Sequence, residues 1–162
     1  MAEADPGIFA AMASVEERQI ANAAELDAAL RGADRPFIVR GLVSDWPLVA
    51  AGRQSAAAAR HYLLDHARDM DFTVTAGPPG ADGRMFYDDA MGMNFRTLRA
   101  RLPEIFARMD AGEGRDDAHP LYIGSTDMHR FFDGLAEENR VDLSGRKTLD
   151  GIWIGTPSRI AA

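Results

Sequence analysis

Apolar positions along this chain fall into short groups with different spacings, and each spacing implies a different backbone. Asn22-Ala-Ala-Glu25 has the form of a capping box, a side-chain cap followed three positions on by a glutamate. It predicts a helix through Leu26 and Leu30 that stops at Arg31-Gly32. A short strand is expected just before it, around Arg18–Ala21. Arg35-Pro36 then forces extended backbone, and Phe37, Val39 and Leu42-Val43 suit a mostly buried strand over residues 37–43. Ser44-Asp-Trp-Pro47 reads as a turn into a short helix, and Ser55 as the cap of a second helix from Ala56 to Ala67. Met70–Thr75 alternates with period two, as a half-buried strand should. The turn-rich loop Gly77–Gly83 and the segment Arg84–Tyr87 predict a hairpin over residues 70–87.

The most regular pattern comes next. Phe95, Leu98, Leu102, Ile105, Phe106 and Met109 recur at helical intervals, which predicts a helix capped by Asn94 and kinked or split at Pro103. Arg96, Arg99, Arg101 and Arg108 then fall on its polar side. Gly112–Asp117 is a polar loop, Pro120–Gly124 a strand, Asp127–Leu135 a short helix and Gly151–Ile154 a final strand. This mixed order argues an α+β fold, not strict βα alternation.

Composition narrows the chemistry. The chain has 162 residues, 46% of them hydrophobic, with no apolar run long enough to span a bilayer and no secretory signal pattern at its front. Cysteine is absent, so disulfides, zinc thiolates, iron–sulfur clusters and cysteine nucleophiles are excluded, and a cytoplasmic location is expected. Any metal must be held by nitrogen and oxygen, and there are only four histidines. With 25 acidic and 18 basic residues the net charge is −7, a poor balance for gripping nucleic-acid phosphates. Neither a phosphate-binding glycine loop nor a Gly-x-Ser-x-Gly elbow is present. His61 and His66 lie five apart on one helix and face different ways. His119, Asp127 and His129 form the one cluster with metal-capable side chains, and Asp88-Asp89 and Asp116-Asp117 read as turn residues.

Three segments carry a family resemblance. Arg35-Pro-Phe-Ile-Val-Arg-Gly-Leu-Val-Ser-Asp-Trp-Pro47, Leu121-Tyr-Ile-Gly-Ser125 and Gly151-Ile-Trp-Ile-Gly-Thr-Pro-Ser-Arg-Ile-Ala-Ala162 occur in this order. Together they are similar to the cupin-like, Jumonji-C-related oxygenases that depend on iron(II) and 2-oxoglutarate. The resemblance implies that residues 18–162 are the N-terminal part of one such domain, with residues 1–17 a loose lead-in. It also implies N-terminal helices followed by the first strands of a double-stranded β-helix (cupin or jelly-roll) barrel, incomplete at the C-terminus. In the family, two histidines and a carboxylate hold the iron and leave open positions for the co-substrate and oxygen. The family's His-x-Asp motif is expected to begin just after Ala162, so this chain supplies no catalytic residue and no metal ligand. It is expected to bind neither cofactor alone.

The residue-level carry-over is short. Tyr122 matches a tyrosine that in some relatives donates a hydrogen bond to the distal carboxylate of 2-oxoglutarate, and Trp153 is placed to line the pocket or to join the core. Where some relatives use a threonine for the same carboxylate, this chain has Ile160, which cannot donate. The implied activity is hydroxylation of an unknown substrate, a protein or small molecule before a nucleic acid, with no membrane. Without later strands the isolated chain is expected to be marginally stable, aggregating or a homodimer. Two other readings stay open: a non-catalytic α+β interaction module, and a metal-assisted hydrolase using His119, Asp127 and His129.

Overall fold

A computed structural model describes residues 14–80, 85–88, 90–143 and 147–156. The chain divides into two compact units, one of Met1–Ser44 with Val141–Lys147, the other of Asp45–Arg140 with Thr148–Ala162.

In the first unit, strand β1 (Glu16–Glu17) and strand β2 (Phe37–Ile38) pair in parallel, and helix α1 (Ala23–Gly32) connects them. The expected capping box forms: the Asn22 side-chain oxygen Oδ1 accepts from the Glu25 amide at 3.0 Å, and the Glu25 carboxylate accepts from the Ala21 amide at 2.9 Å. The ladder is pinned at its ends by charge. Arg40 reaches the Glu17 carboxylate at 2.7 Å, and the Arg18 guanidinium lies 4.4 Å from the centre of the Phe37 ring. The strand anticipated around residues 18–21 thus sits slightly earlier. The one anticipated over residues 37–43 is much shorter, because Gly41 adopts φ 72° and starts a turn that Ser44 closes by bonding the Gly41 carbonyl.

In the second unit, helix α2 (Pro47–Gln54) is followed directly by α3 (Ala56–His66), with Ser55 accepting from the Ala58 amide at 3.0 Å as its cap. Four strands form a sheet in the order β4-β3-β5-β6: β3 (Asp71–Ala76), β4 (Arg96–Arg101), β5 (Leu121–Asp127) and β6 (Gly151–Gly155). Every pairing is antiparallel. Helices α4 (Leu102–Gly112), α5 (Met128–Phe131) and α6 (Leu135–Glu138) complete the unit. Phe72 and Val74 of β3 and Leu121 and Ile123 of β5 are buried together with Leu63 of α3, with Leu102, Ile105, Phe106 and Met109 of α4, and with Leu135. One sheet face therefore carries the core and the other does not.

Two expectations are corrected here. The partner of β3 is Arg96–Arg101, in register from Asp71↔Arg101 to Ala76↔Arg96, and not the segment before Tyr87. Residues 81–84 of that segment lie outside the described residues; Tyr87 forms only an isolated bridge to Met93. Between them Asp88 accepts from the amides of Ala90 and Gly92 and closes a tight loop, more than a solvated turn residue. The long helix also starts later than its spacing suggested. Asn94 accepts from the Phe86 amide at 2.7 Å, and the element that follows it is β4, not a helix. Pro103 opens α4 instead of kinking it, because proline near a helix start forfeits only an amide with no helical partner. Glu104 folds back to accept from the Arg101 amide at 3.2 Å. Phe95 and Leu98 satisfied helical spacing by coincidence, and Arg96, Arg99 and Arg101 lie on a strand.

A buried polar knot ties the helices. Asn139, 4% exposed, donates to the Leu135 carbonyl and the Tyr62 hydroxyl, both at 2.9 Å. Its side-chain oxygen accepts from the Leu48 amide at 2.9 Å. Trp46, the residue before α2, offers no side-chain cap, so the acceptor for this helix start comes from a residue distant in sequence. Tyr62 in turn donates to Glu138 at 2.6 Å, and burial pushes its phenol above the usual tyrosine range.

Candidate functional site

Alternation along β5 sends Leu121 and Ile123 into the core and Tyr122 to the opposite face. Tyr122 is flanked across the ladder by Thr75 of β3 and Gly155 of β6. Next on its own strand is Gly124, where a Cβ would come within 2.9 Å of the tyrosine ring and 3.3 Å of its hydroxyl. The ring therefore lies along the strand over a position that only glycine leaves free. Just beyond, the β5–β6 register slips between Ile123 and Thr126, and Ser125 takes φ 49°, in the left-handed region where an L side chain is strained. Thr126 then turns back to the core.

Trp153 shares the Tyr122 face. Ile152 and Ile154 on either side of it pack against the core, whereas Trp153 is 59% exposed. The alternative that Trp153 belongs to the core is thereby corrected. Gly151 and Gly155 alternate with Ile152 and Ile154 and so share this face with Tyr122 and Trp153. The Tyr122 hydroxyl makes no hydrogen bond among the described residues. It is a hydroxyl with spare hydrogen-bonding capacity, suited to a carboxylate or carbonyl laid beside it.

The residues of the hydrolase reading are not brought together. The His119 ring bonds the Gly77 carbonyl at 2.8 Å before β5 begins. Asp127, at the other end of β5, accepts from the amides of His129 and Arg130 as the cap of α5. Seven strand residues at about 3.3 Å each separate these ends, on the order of 20 Å. His129 instead pairs with Asp150 at 2.9 Å and approaches Glu137 at 3.4 Å. The Asp150 hydrogen bond, helped by the Glu137 charge, holds its imidazolium above the usual histidine value. His61 is largely exposed beside Asp65, while His66 is mostly buried against the Tyr62 carbonyl, so the two point apart as their spacing requires. Among the described residues no three His, Cys, Asp or Glu side chains converge as a metal site. No helix among them is long and apolar enough to cross a membrane.

One feature had no usable signal in the sequence. At the end of the sheet beside α4 a cavity of about 690 Å³ is lined by Arg96, Arg108 and His119 among others. Arginines assigned to the solvated side of a single helix instead divide between a strand and a helix. Arg96 and Arg108 line one cavity because β4 pairs with β3.

No curated protein and no solved structure matches the chain. The family model described as the cupin-like domain matches residues 23–162, from the start of α1 through the sheet. With an antiparallel sheet backed by helices and a match over most of its length, the chain belongs to the cupin-like domain family.

Proposed function

We propose that the protein is an iron(II)- and 2-oxoglutarate-dependent hydroxylase, and that this chain contributes its N-terminal helices and the first strands of its double-stranded β-helix. The supporting observation is the Tyr122 phenol, unpartnered among the described residues, on the coreless sheet face beside Gly124 and Gly155. In this reading Tyr122 donates to the distal carboxylate of 2-oxoglutarate. Gly124 lets the ring lie flat, and Trp153 walls the site. Bound iron with the co-substrate would supply the oxidising power for C–H hydroxylation. The described residues do not themselves fit an iron centre, so the reading assigns its ligands to residues outside them. The substrate is read as a protein or a small molecule.

The test uses the product of the natural gene, loaded with iron(II) under anaerobic conditions and titrated with 2-oxoglutarate. Binding is expected, and Tyr122→Phe should weaken it about tenfold, the worth of one hydrogen bond to a charged group. In air the same protein should release succinate. A natural product that binds no 2-oxoglutarate would refute the proposal and make a non-catalytic interaction module the better reading.

A further inference from the structure

Arg96 and Arg108 converge on one cavity from different elements. Arg96 is paired with Ala76 in the β3–β4 ladder, so its side chain leaves the sheet on the core-bearing side. Arg108 projects from α4 beside it, and the cavity of about 690 Å³ between them has Ala76, Leu98 and Leu121 as its apolar floor. That volume lies within the range of about 300–1,000 Å³ usual for small-molecule sites.

The charges around the cavity are not balanced as elsewhere in the chain. Elsewhere Arg60 is held by Asp110 at 2.6 Å, Arg68 by Asp133 at 2.7 Å and Arg101 by Asp69 at 2.8 Å, and within the lining itself Arg115 is held by Asp117 at 2.9 Å. Arg96 and Arg108 have no ion pair or hydrogen bond from their guanidinium groups among the described residues. This occurs in a chain where acids outnumber bases 25 to 18. Two unpaired guanidiniums lining one cavity make it electropositive, and an anion bound there gains from that charge and from planar, paired hydrogen bonds. Low-dielectric walls concentrate their field inside the cleft. An adjoining cavity of about 630 Å³ shares Arg108, Arg115 and His119 and adds Arg60, Glu113 and Asp116, so its charges of both signs are mixed.

We propose that the cleft between Arg96 and Arg108 binds a small organic anion, with one carboxylate or phosphate between the two guanidiniums and an apolar body on Ala76, Leu98 and Leu121. This site lies on the opposite sheet face from Tyr122 and does not depend on the hydroxylase reading.

The experiment titrates the chain with phenyl phosphate, benzoate and inorganic phosphate, followed by calorimetry and by protein NMR shifts. At least one of the two aromatic anions should bind, and their ranking tells a phosphate ligand from a carboxylate one. Arg96→Ala/Arg108→Ala should weaken that binding at least tenfold, consistent with loss of charged hydrogen bonds. Arg99→Ala, which removes an arginine from the other face of the same strand, and Tyr122→Phe should leave it unchanged. Arg96→Lys/Arg108→Lys retains the charge, guards against a folding artefact and should recover part of the affinity. Binding equally weakened by Arg99→Ala, undiminished in the Arg96/Arg108 double variant, or absent for both aromatic anions would overturn the proposal.

Discussion

Asn139→Ala tests whether a distant side chain holds the start of α2. The substitution removes the acceptor for the Leu48 amide and both bonds donated to Leu135 and Tyr62. Loss of an N-terminal cap costs about 1 kcal/mol. Losing the donor in a site only 4% exposed strands the Leu135 carbonyl and deprives Tyr62 of a partner, a further cost of about 1–3 kcal/mol. The expected total is about 2–4 kcal/mol, which for a chain of this size lowers Tm by about 5–15 °C. Urea unfolding followed by circular dichroism measures it, provided that wild type unfolds in one reversible transition. Tyr62→Phe alone should cost less, and the double variant less than the two losses combined, because both act through one knot. Asn139→Asp separates donor from acceptor: it can still accept from Leu48, but at neutral pH its second oxygen faces the Leu135 carbonyl. It should be at least as unstable as Asn139→Ala at pH 7 and partly recover in acid, where the carboxylic acid donates. An Asn139→Ala variant within about 0.5 kcal/mol of wild type, the range of an ordinary surface change, would show that α2 does not depend on this contact.

Two further outcomes follow from the same geometry. His129 should titrate above its ordinary value of 6.5, and Asp150→Asn should bring it down, as read from the imidazole NMR shifts. Because the folded value is raised, the stability from this pair is fully present below pH 6.5 and fades as pH rises through the folded value; an unmoved titration in Asp150→Asn would contradict the pairing. Gly124→Ala places a Cβ where the Tyr122 ring lies, so the ring should swing away at a cost of about 1 kcal/mol or less, since an open face lets it move. In the natural-gene product this substitution should weaken 2-oxoglutarate binding as much as Tyr122→Phe. Unchanged Tyr122 ring shifts in Gly124→Ala would remove Gly124 from the argument.

Features of this protein that depend on nearby residues could be read from the sequence directly. Asn22 with Glu25, Ser55 before an alanine run, and the alternation of Phe72 with Val74 each specify their local backbone through contacts within a few residues. The order of helices and strands, and from it the α+β class, followed from such signals. Tyr122 was singled out by the family resemblance alone; the face it takes on β5 is set by alternation with the buried Leu121 and Ile123. Strand partnership was different. Residues 95–102 satisfy helical spacing and strand alternation equally, and only pairing with β3 across an intervening loop decides between them. Pairing also set which arginines face the core side, placing Arg96 in the lining of the cavity that Arg108 also lines, and it turned Trp153 outward while its neighbours Ile152 and Ile154 packed inward. The cap of α2 comes from Asn139, and no window along the chain contains both. Local hydrogen bonding and side-chain periodicity are properties of sequence neighbours. Register, facing and distant caps depend on which segments meet, and that is decided when the core is buried.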